Sequence, residues 1–187
     1  MWEYMCTGTH TGDDERMNEI VYPLQIAVIG AASCDDEEER VAEDTGRLIA
    51  TAGATLICGG RGGVMEAACR GAAGAGGVTV GILPGNVDEA NPFCTVIIPT
   101  GLGIARNAVV VSAAGAIIVV GGSTYGTLSE IAMALKQGRP VYGIRTWEIP
   151  GVVPCGNAEE AVFRAVCAAE AGSGSATECA TDNEGCR

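Results

Sequence analysis

The residues of this 187-residue chain whose types and spacing could do chemistry are one arginine, one glutamate and two glycine-rich turns. Residues 121–130 read Gly-Gly-Ser-Thr-Tyr-Gly-Thr-Leu-Ser-Glu. Gly121, Gly122 and Gly126 let backbone N–H groups come close to a ligand, and Thr127 opens a run of helical period to Gln137, with Leu128, Ile131, Ala132 and Leu135 on one face. A helix N-terminus offers unpaired N–H donors and partial positive charge, so strand, glycine loop and helix together suit a phosphate. Gly121, Gly122, Ser123, Thr124, Gly126 and Thr127 are therefore candidate ligand-binding residues. Glu130 falls in the first helical turn, at the rim of that site. There the dipole should keep it ionised near neutrality, able to hold ribose hydroxyls, stabilise an oxocarbenium-like charge or orient a water. Thr127-Leu-Ser-Glu130 also has the pattern of a capping box, in which Thr127 accepts from the amide of residue 130. A cap alone does not need three glycines before it.

A second such loop, Gly59-Gly60-Arg61-Gly62-Gly63, follows the apolar run Ala54–Cys58 and opens a helix at Val64-Met65-Glu66. Close helix–strand packing could use some of these glycines, but four in five residues suit backbone approach to a ligand. All five residues are ligand-binding candidates, with Arg61 a weaker anion clamp. Arg106 and Asn107 lie in the first turn of an expected apolar helix, Ile104–Ala113. Arg106 could snorkel to the surface or clamp an anion bidentately, close to Glu130 across a crevice. Tyr125 and Trp147 could stack on a ring or simply pack. Neither loop is a P-loop, because the only lysine, Lys136, precedes Gln137, and no Gly-x-Gly-x-x-Gly follows the first strand.

The elements that must hold these residues alternate. Ala116–Val120 is an unbroken, β-branched apolar run, as in a strand buried on both faces of a parallel sheet. Leu24–Ile29, Ala54–Cys58, Val78–Leu83, Thr95–Ile98 and Val141–Ile144 read as further strands. The helix after Ser33 starts with five carboxylates, Asp35 to Glu39, matched to its dipole, and turns Val41, Thr45, Leu48, Ile49 and Ala52 inward. Residues 143–153 read as a loop. Ala158–Ala171 reads as a last helix with Val162, Phe163, Val166 and Ala169 inward. Such alternation predicts an α/β fold: a single Rossmann-like, doubly wound, mainly parallel sheet with right-handed crossovers. Residues 22–171 form that domain, between a disordered arm at 1–21 and a disordered tail at 172–187.

A net charge of −12 argues against a nucleic-acid partner, yet residues 58–145 hold six bases against four acids, so an anionic small-molecule ligand suits that half. The longest nearly apolar stretch is too short for a bilayer and the N-terminus lacks a signal-peptide pattern, so no membrane partner and a cytoplasmic location are expected. Nine cysteines, an odd count without Cys-x-x-Cys, read as reduced thiols, several of them small core fillers. With His10 as the only histidine, no metal site and no Ser-His-Asp triad are expected.

Six segments carry a family resemblance: Ile26-Ala-Val-Ile-Gly30, Cys58-Gly-Gly-Arg-Gly-Gly-Val-Met-Glu-Ala67, Ala105-Arg-Asn107, Gly126-Thr-Leu-Ser-Glu-Ile-Ala132, Gly138-Arg-Pro-Val141 and Gly143 to Trp147. Over Leu24–Ala169 the chain resembles the Lonely Guy-like (SLOG) Rossmann superfamily, in particular its molybdenum-cofactor carrier protein-like branch. The Lonely Guy branch releases free base and ribose 5-phosphate from cytokinin riboside 5′-monophosphates, and carries Pro-Gly-Gly-x-Gly-Thr-x-x-Glu with an upstream Arg-Lys pair. Gly126, Thr127, Glu130 and Arg106 match. The proline is missing, Gly121 to Tyr125 is one residue longer than the usual loop, and Asn107 stands at the lysine position. These departures resemble the carrier branch, where an anionic pterin cofactor is bound and not cleaved. The resemblance thus implies binding of a phosphorylated heterocycle, a nucleotide or molybdopterin-type cofactor, with no cofactor required for the fold. Its alternative is a phosphoribohydrolase acting on nucleoside 5′-monophosphates, with Glu130 and Arg106 catalytic. It also implies a homo-oligomer, dimer or tetramer.

Overall fold

The computed structural model describes residues 23–122 and 124–172, so the expected arm at 1–21, the tail from 173 and Ser123 lie outside the described residues. The strands are β1 (Gln25–Ile29), β2 (Thr55–Cys58), β3 (Thr79–Leu83), β4 (Val96–Pro99), β5 (Ala116–Val120), β6 (Val141–Ile144) and β7 (Val152–Pro154). The helices are α1 (Asp36–Thr51), α2 (Val64–Gly74), α3 (Asn107–Ser112), α4 (Tyr125–Lys136) and α5 (Ala158–Gly172), with 3₁₀ turns at Val87–Glu89 and Gly103–Arg106. All seven strands are parallel, in the order β4-β3-β2-β1-β5-β6-β7. The α/β, Rossmann-like fold expected from the alternation is the fold observed. The chain winds outward from β1 to β4, then returns to place β5 beside β1, with Ile26 opposite Ala116. That reversal makes a crevice at the carboxyl ends of β1 and β5, where open α/β sheets bind ligands.

β5 shows why its unbroken apolar run was needed. Ala116, Ile118 and Val120 enter one core layer with Ala42, Ile49 and Ala165, whereas Ile117 and Val119 enter the other with Val110, Val111 and Ile131. Both faces are covered by helices, so polar alternation would bury unpaired groups. α1 starts as its acidic run predicts: Asp35 accepts from the amide of Glu38 at 2.7 Å, and Glu38 reaches back to the Asp35 amide at 3.2 Å. α1 and α2 pack backbone to backbone, since a Cβ at Gly46 would meet the Ala68 carbonyl and one at Gly71 the Glu43 carbonyl.

Several local expectations are corrected. The 143–153 segment is not all loop, because its last two residues enter β7, which pairs parallel with β6. The Ile104–Ala113 segment begins as a 3₁₀ turn and becomes α-helical only at Asn107. Phe163 is 67% exposed, and α5 instead buries Ala158, Ala161, Val162, Ala165 and Ala169, small residues that let it sit close to the sheet. In α1, Ala42 and Gly46 join Thr45 and Ile49 in the core, while Val41 and Leu48 are half-buried and Ala52 is exposed. α4 is turned so that Thr127, Glu130, Ile131 and Ala134 face inward and Leu128 and Ala132 outward. No helix among the described residues is long and apolar enough to cross a membrane.

Candidate functional site

The start of α4 decides the geometry. Its N-cap is Thr124, in extended backbone, whose hydroxyl accepts from the Thr127 amide at 3.3 Å. The helix therefore begins two residues before the expected start at Thr127. This removes Thr127 from the cap and places Glu130 in the second turn, on the buried face. The capping-box reading of Thr127 and Glu130 is overturned, and Glu130 is free of any role in closing the helix end.

Glu130 is only 6% exposed and Arg106 7%, so Arg106 does not snorkel. The 3₁₀ turn at Gly103–Arg106 sends it inward, where its Nη1 donates to Glu130 Oε1 at 3.3 Å. The Arg106 Nε is buried without a hydrogen-bond partner. Gly59 lies against the guanidinium: a Cβ there would be 2.5 Å from both Nη atoms. Burial pushes the Glu130 carboxyl up to about 7, and the attraction of Arg106 only partly opposes it. The expectation that the helix dipole keeps Glu130 ionised is therefore corrected, because removal from water outweighs the dipole two turns into a covered helix. Burial also lowers the Arg106 guanidinium, which nonetheless stays protonated in proteins.

Asn107 ties the two elements together. Its Nδ2 donates to Ser129 Oγ at 2.9 Å and to the Gly126 carbonyl at 3.4 Å, and Ser129 Oγ donates to the same carbonyl at 2.7 Å. The amide fixes α3 against α4 and adds no charge.

These residues line a cavity of about 320 Å³ at the switch point. Of the sequence candidates, Arg61, Arg106, Asn107, Thr124, Gly126, Thr127 and Glu130 face it. Other candidates support its walls. Gly60 packs on Leu83 and Gly81, while Gly62 and Gly63 lie along the Ala31–Ala32 backbone. Gly121, at φ 67°, sits where a Cβ would meet the Glu38 carboxylate, and Gly122 packs on Thr146 and Trp147. Tyr125, 89% exposed, is turned to solvent. Gly30, Ala32, Met65, Pro84, Gly103 and Ile104 complete the lining and were not picked out from the sequence. Strand order is the signal that finds Gly30 and Ala32: once β1 neighbours β5, the end of β1 must open on the same crevice. Arg61 stands at the mouth, half-exposed, with Glu89 at 3.7 Å.

A fixed arginine with an unused donor, backbone at a helix start and a carboxyl that titrates near neutrality can together hold an anion and move a proton beside it.

Three comparisons set this site among known proteins. The chain is 50% identical over 122 residues to an uncharacterized protein of Archaeoglobus fulgidus, covering 65% of this chain and 80% of that one. It is similar to the molybdenum cofactor binding protein of the phototrophic bacterium Rippkaea orientalis, at 33% identity and TM-score 0.73, over 76% of this chain and 95% of that structure. A Moco carrier protein structure from Chlamydomonas reinhardtii matches at 32% identity and TM-score 0.72, over 81% and 99% of the two chains. The model of the SLOG cluster4 family matches residues 23–180, which takes in every strand, both glycine-rich loops and the Arg106–Glu130 pair. The chain belongs to the SLOG cluster4 family.

Proposed function

We propose that the protein binds a phosphorylated heterocycle, a nucleotide or molybdopterin-type cofactor, in the cavity between α4, the Gly103–Arg106 turn and the end of β1, as a molybdenum-cofactor carrier-like protein. The observation that carries this is the buried Arg106 in the cavity lining, whose guanidinium gives only Nη1 to Glu130. A guanidinium with donors left over is a fitting partner for an anionic oxygen. The volume of about 320 Å³ is at the lower end of ligand pockets, enough to seat a phosphate with part of a ring system. Asn107 supports binding over cleavage, because its amide is spent on Ser129 and Gly126 and supplies no positive charge to a reacting phosphoribosyl group.

A second reading rests on Glu130. A carboxyl with a pKa of about 7 at the cavity wall suits a general acid or base in N-glycosidic cleavage of a nucleoside 5′-monophosphate. Incubating the protein with AMP, GMP and CMP and chromatographing the products separates the two. We expect no free base beyond the protein-free control, with thermal stabilisation by the bound ligand. Base release that disappears in Glu130→Gln would replace the carrier reading with the phosphoribohydrolase.

We infer that the expected homo-oligomer forms through β4. β4 pairs with β3 alone among the described residues, its Val96, Ile97 and Ile98 are exposed, and so are Leu102 and Ile104 in the segment that follows it. An unprotected apolar edge invites a second copy. Sedimentation velocity is expected to show a dimer or larger species that Ile97→Lys shifts to monomer; a wild-type monomer throughout would contradict it.

A further inference from the structure

Three thiols meet behind the Gly59–Gly63 loop. Cys58 ends β2, Cys69 lies in α2, and Cys94 lies between the Val87–Glu89 turn and β4. Cys58 Sγ is 3.4 Å from Cys69 Sγ, and Cys69 Sγ is 3.9 Å from Cys94 Sγ. Cys58 and Cys69 are fully buried, whereas Cys94 is half-buried and gives the cluster its access to solvent. Room for Cys94 depends on Gly81, where a Cβ would lie 2.7 Å from its sulfur. The segment carrying Cys94 is also clasped to the glycine loop: the Asn91 amide donates to the Gly60 carbonyl at 2.8 Å, and Asn91 Nδ2 to the Arg61 carbonyl at 3.1 Å.

Hydrogen bonding orders the thiols chemically. The hydrogen bonding the three share lowers the Cys94 thiol from its ordinary range and raises Cys58 well above it. Cys94 is thus the most acidic and the most accessible of the three thiols. Thiolate character and access together mark a cysteine open to oxidation.

We propose that this trio is a redox-modification site, in which a hydroperoxide oxidises Cys94 and Cys69 resolves it to a Cys69–Cys94 disulfide. The Cys94 sulfur attacks a peroxide oxygen and the O–O bond breaks. With hydrogen peroxide, the hydroxide that leaves takes a solvent proton and departs as water, and Cys94 becomes a sulfenic acid. The Cys69 sulfur then attacks the Cys94 sulfur and the S–O bond breaks. The departing hydroxide takes the Cys69 proton as a second water. Two electrons pass from the two sulfurs to the hydroperoxide. The sulfurs must close from 3.9 Å to bonding distance. The bond fastens that segment, and through Asn91 the glycine loop, to α2. Any effect on ligand affinity rests on the binding role proposed above, so the test reads the disulfide itself.

The full chain, reduced and desalted, is treated with an equimolar amount of hydrogen peroxide, then alkylated and peptide-mapped, which separates the trio from the other six cysteines. The expected main product is the Cys69–Cys94 disulfide. It should be absent in Cys94→Ser, and Cys69→Ser should leave a sulfenic acid on Cys94 that dimedone traps. Should Cys69→Ser fail to fold, the native protein still decides: at about pH 6, iodoacetamide is expected to label Cys94 at least about tenfold faster than Cys34 or Cys155. Oxidation that falls on other cysteines, that leaves Cys69 reduced in the wild type, or labelling of Cys94 no faster than of Cys34, would overturn the proposal.

Discussion

Replacing Arg106 by alanine is expected to destabilise the protein by up to about 1.4 kcal/mol more at about pH 8 than at about pH 5, the cost of keeping Glu130 protonated one unit above its pKa of about 7. The asymmetry follows from what the substitution leaves behind. Glu130 keeps its place on the inner face of α4, 6% exposed, with no cation beside it. At about pH 8 the carboxylate must be ionised and unpaired in a low-dielectric site, or else take up a proton against the solution pH. At about pH 5 it is already neutral, because burial holds its pKa at about 7 even with Arg106 present, and removal of the cation pushes it further up. Only lost packing around Gly59 and the widened cavity then remain. Urea unfolding at both pH values checks this. Adding Glu130→Gln to the alanine variant should recover the additional loss at about pH 8, since it removes the stranded charge. Equal losses at the two pH values would mean that Arg106 acts through packing and not through Glu130.

Glu130→Gln alone should change the pH dependence of stability more than its magnitude at any one pH. The folded-state pKa of Glu130, about 7, lies above the unfolded value of 4.5. Between those values the folded chain binds a proton that the unfolded chain does not. Stability from this group is fully present below about pH 4.5 and is lost as pH rises through about 7, a loss on the order of 3 kcal/mol. Glutamine does not titrate, so this decline disappears while every other group contributes equally to both proteins. The stability of Glu130→Gln relative to wild type is therefore expected to rise by on the order of 3 kcal/mol from about pH 4.5 to about pH 8. Parallel pH profiles would place Glu130 in contact with water and contradict the buried pair. The same ionisation governs ligand affinity on the proposed reading. An anion at Arg106 meets a neutral carboxyl below about pH 7 and a repelling carboxylate above it, so wild-type affinity should fall across that range and the glutamine variant's should not.

The sequence was most legible where one requirement dominates. Ala116–Val120 and Val141–Ile144 appear as strands with the bounds read from their β-branched runs, because a strand covered on both faces admits little else. β7 was missed since Val152-Val153-Pro154 is three residues at a sheet edge, ended by proline, and has no period to detect. The rotation of α4 was misread for a reason tied to the site. Apolar periodicity favours Leu128 inward, but the inner face next to the cavity is taken by Thr127 and Glu130, where polar groups replace core. The pairing of Arg106 with Glu130, 24 positions apart, was anticipated as closeness across a crevice, but its burial and the resulting upward pKa were not. Spacing does not reveal desolvation. Gly121 and Gly122 show the remaining ambiguity: glycine admits close approach whether the neighbour is a ligand or a side chain, and here the neighbours are Glu38, Thr146 and Trp147.

The central claim is that the cavity recognises the anionic group of a phosphorylated heterocycle through Arg106. Calorimetric titration of the wild-type protein at about pH 6 with AMP and with molybdopterin, beside adenosine and dephosphorylated molybdopterin, tests it most directly. At least one phosphorylated ligand is expected to bind, and removal of its phosphate to weaken binding by at least about tenfold, the loss of one charge-assisted contact at about 1.5–3 kcal/mol. Equal affinity with and without the phosphate, or no binding by either phosphorylated ligand, would contradict it.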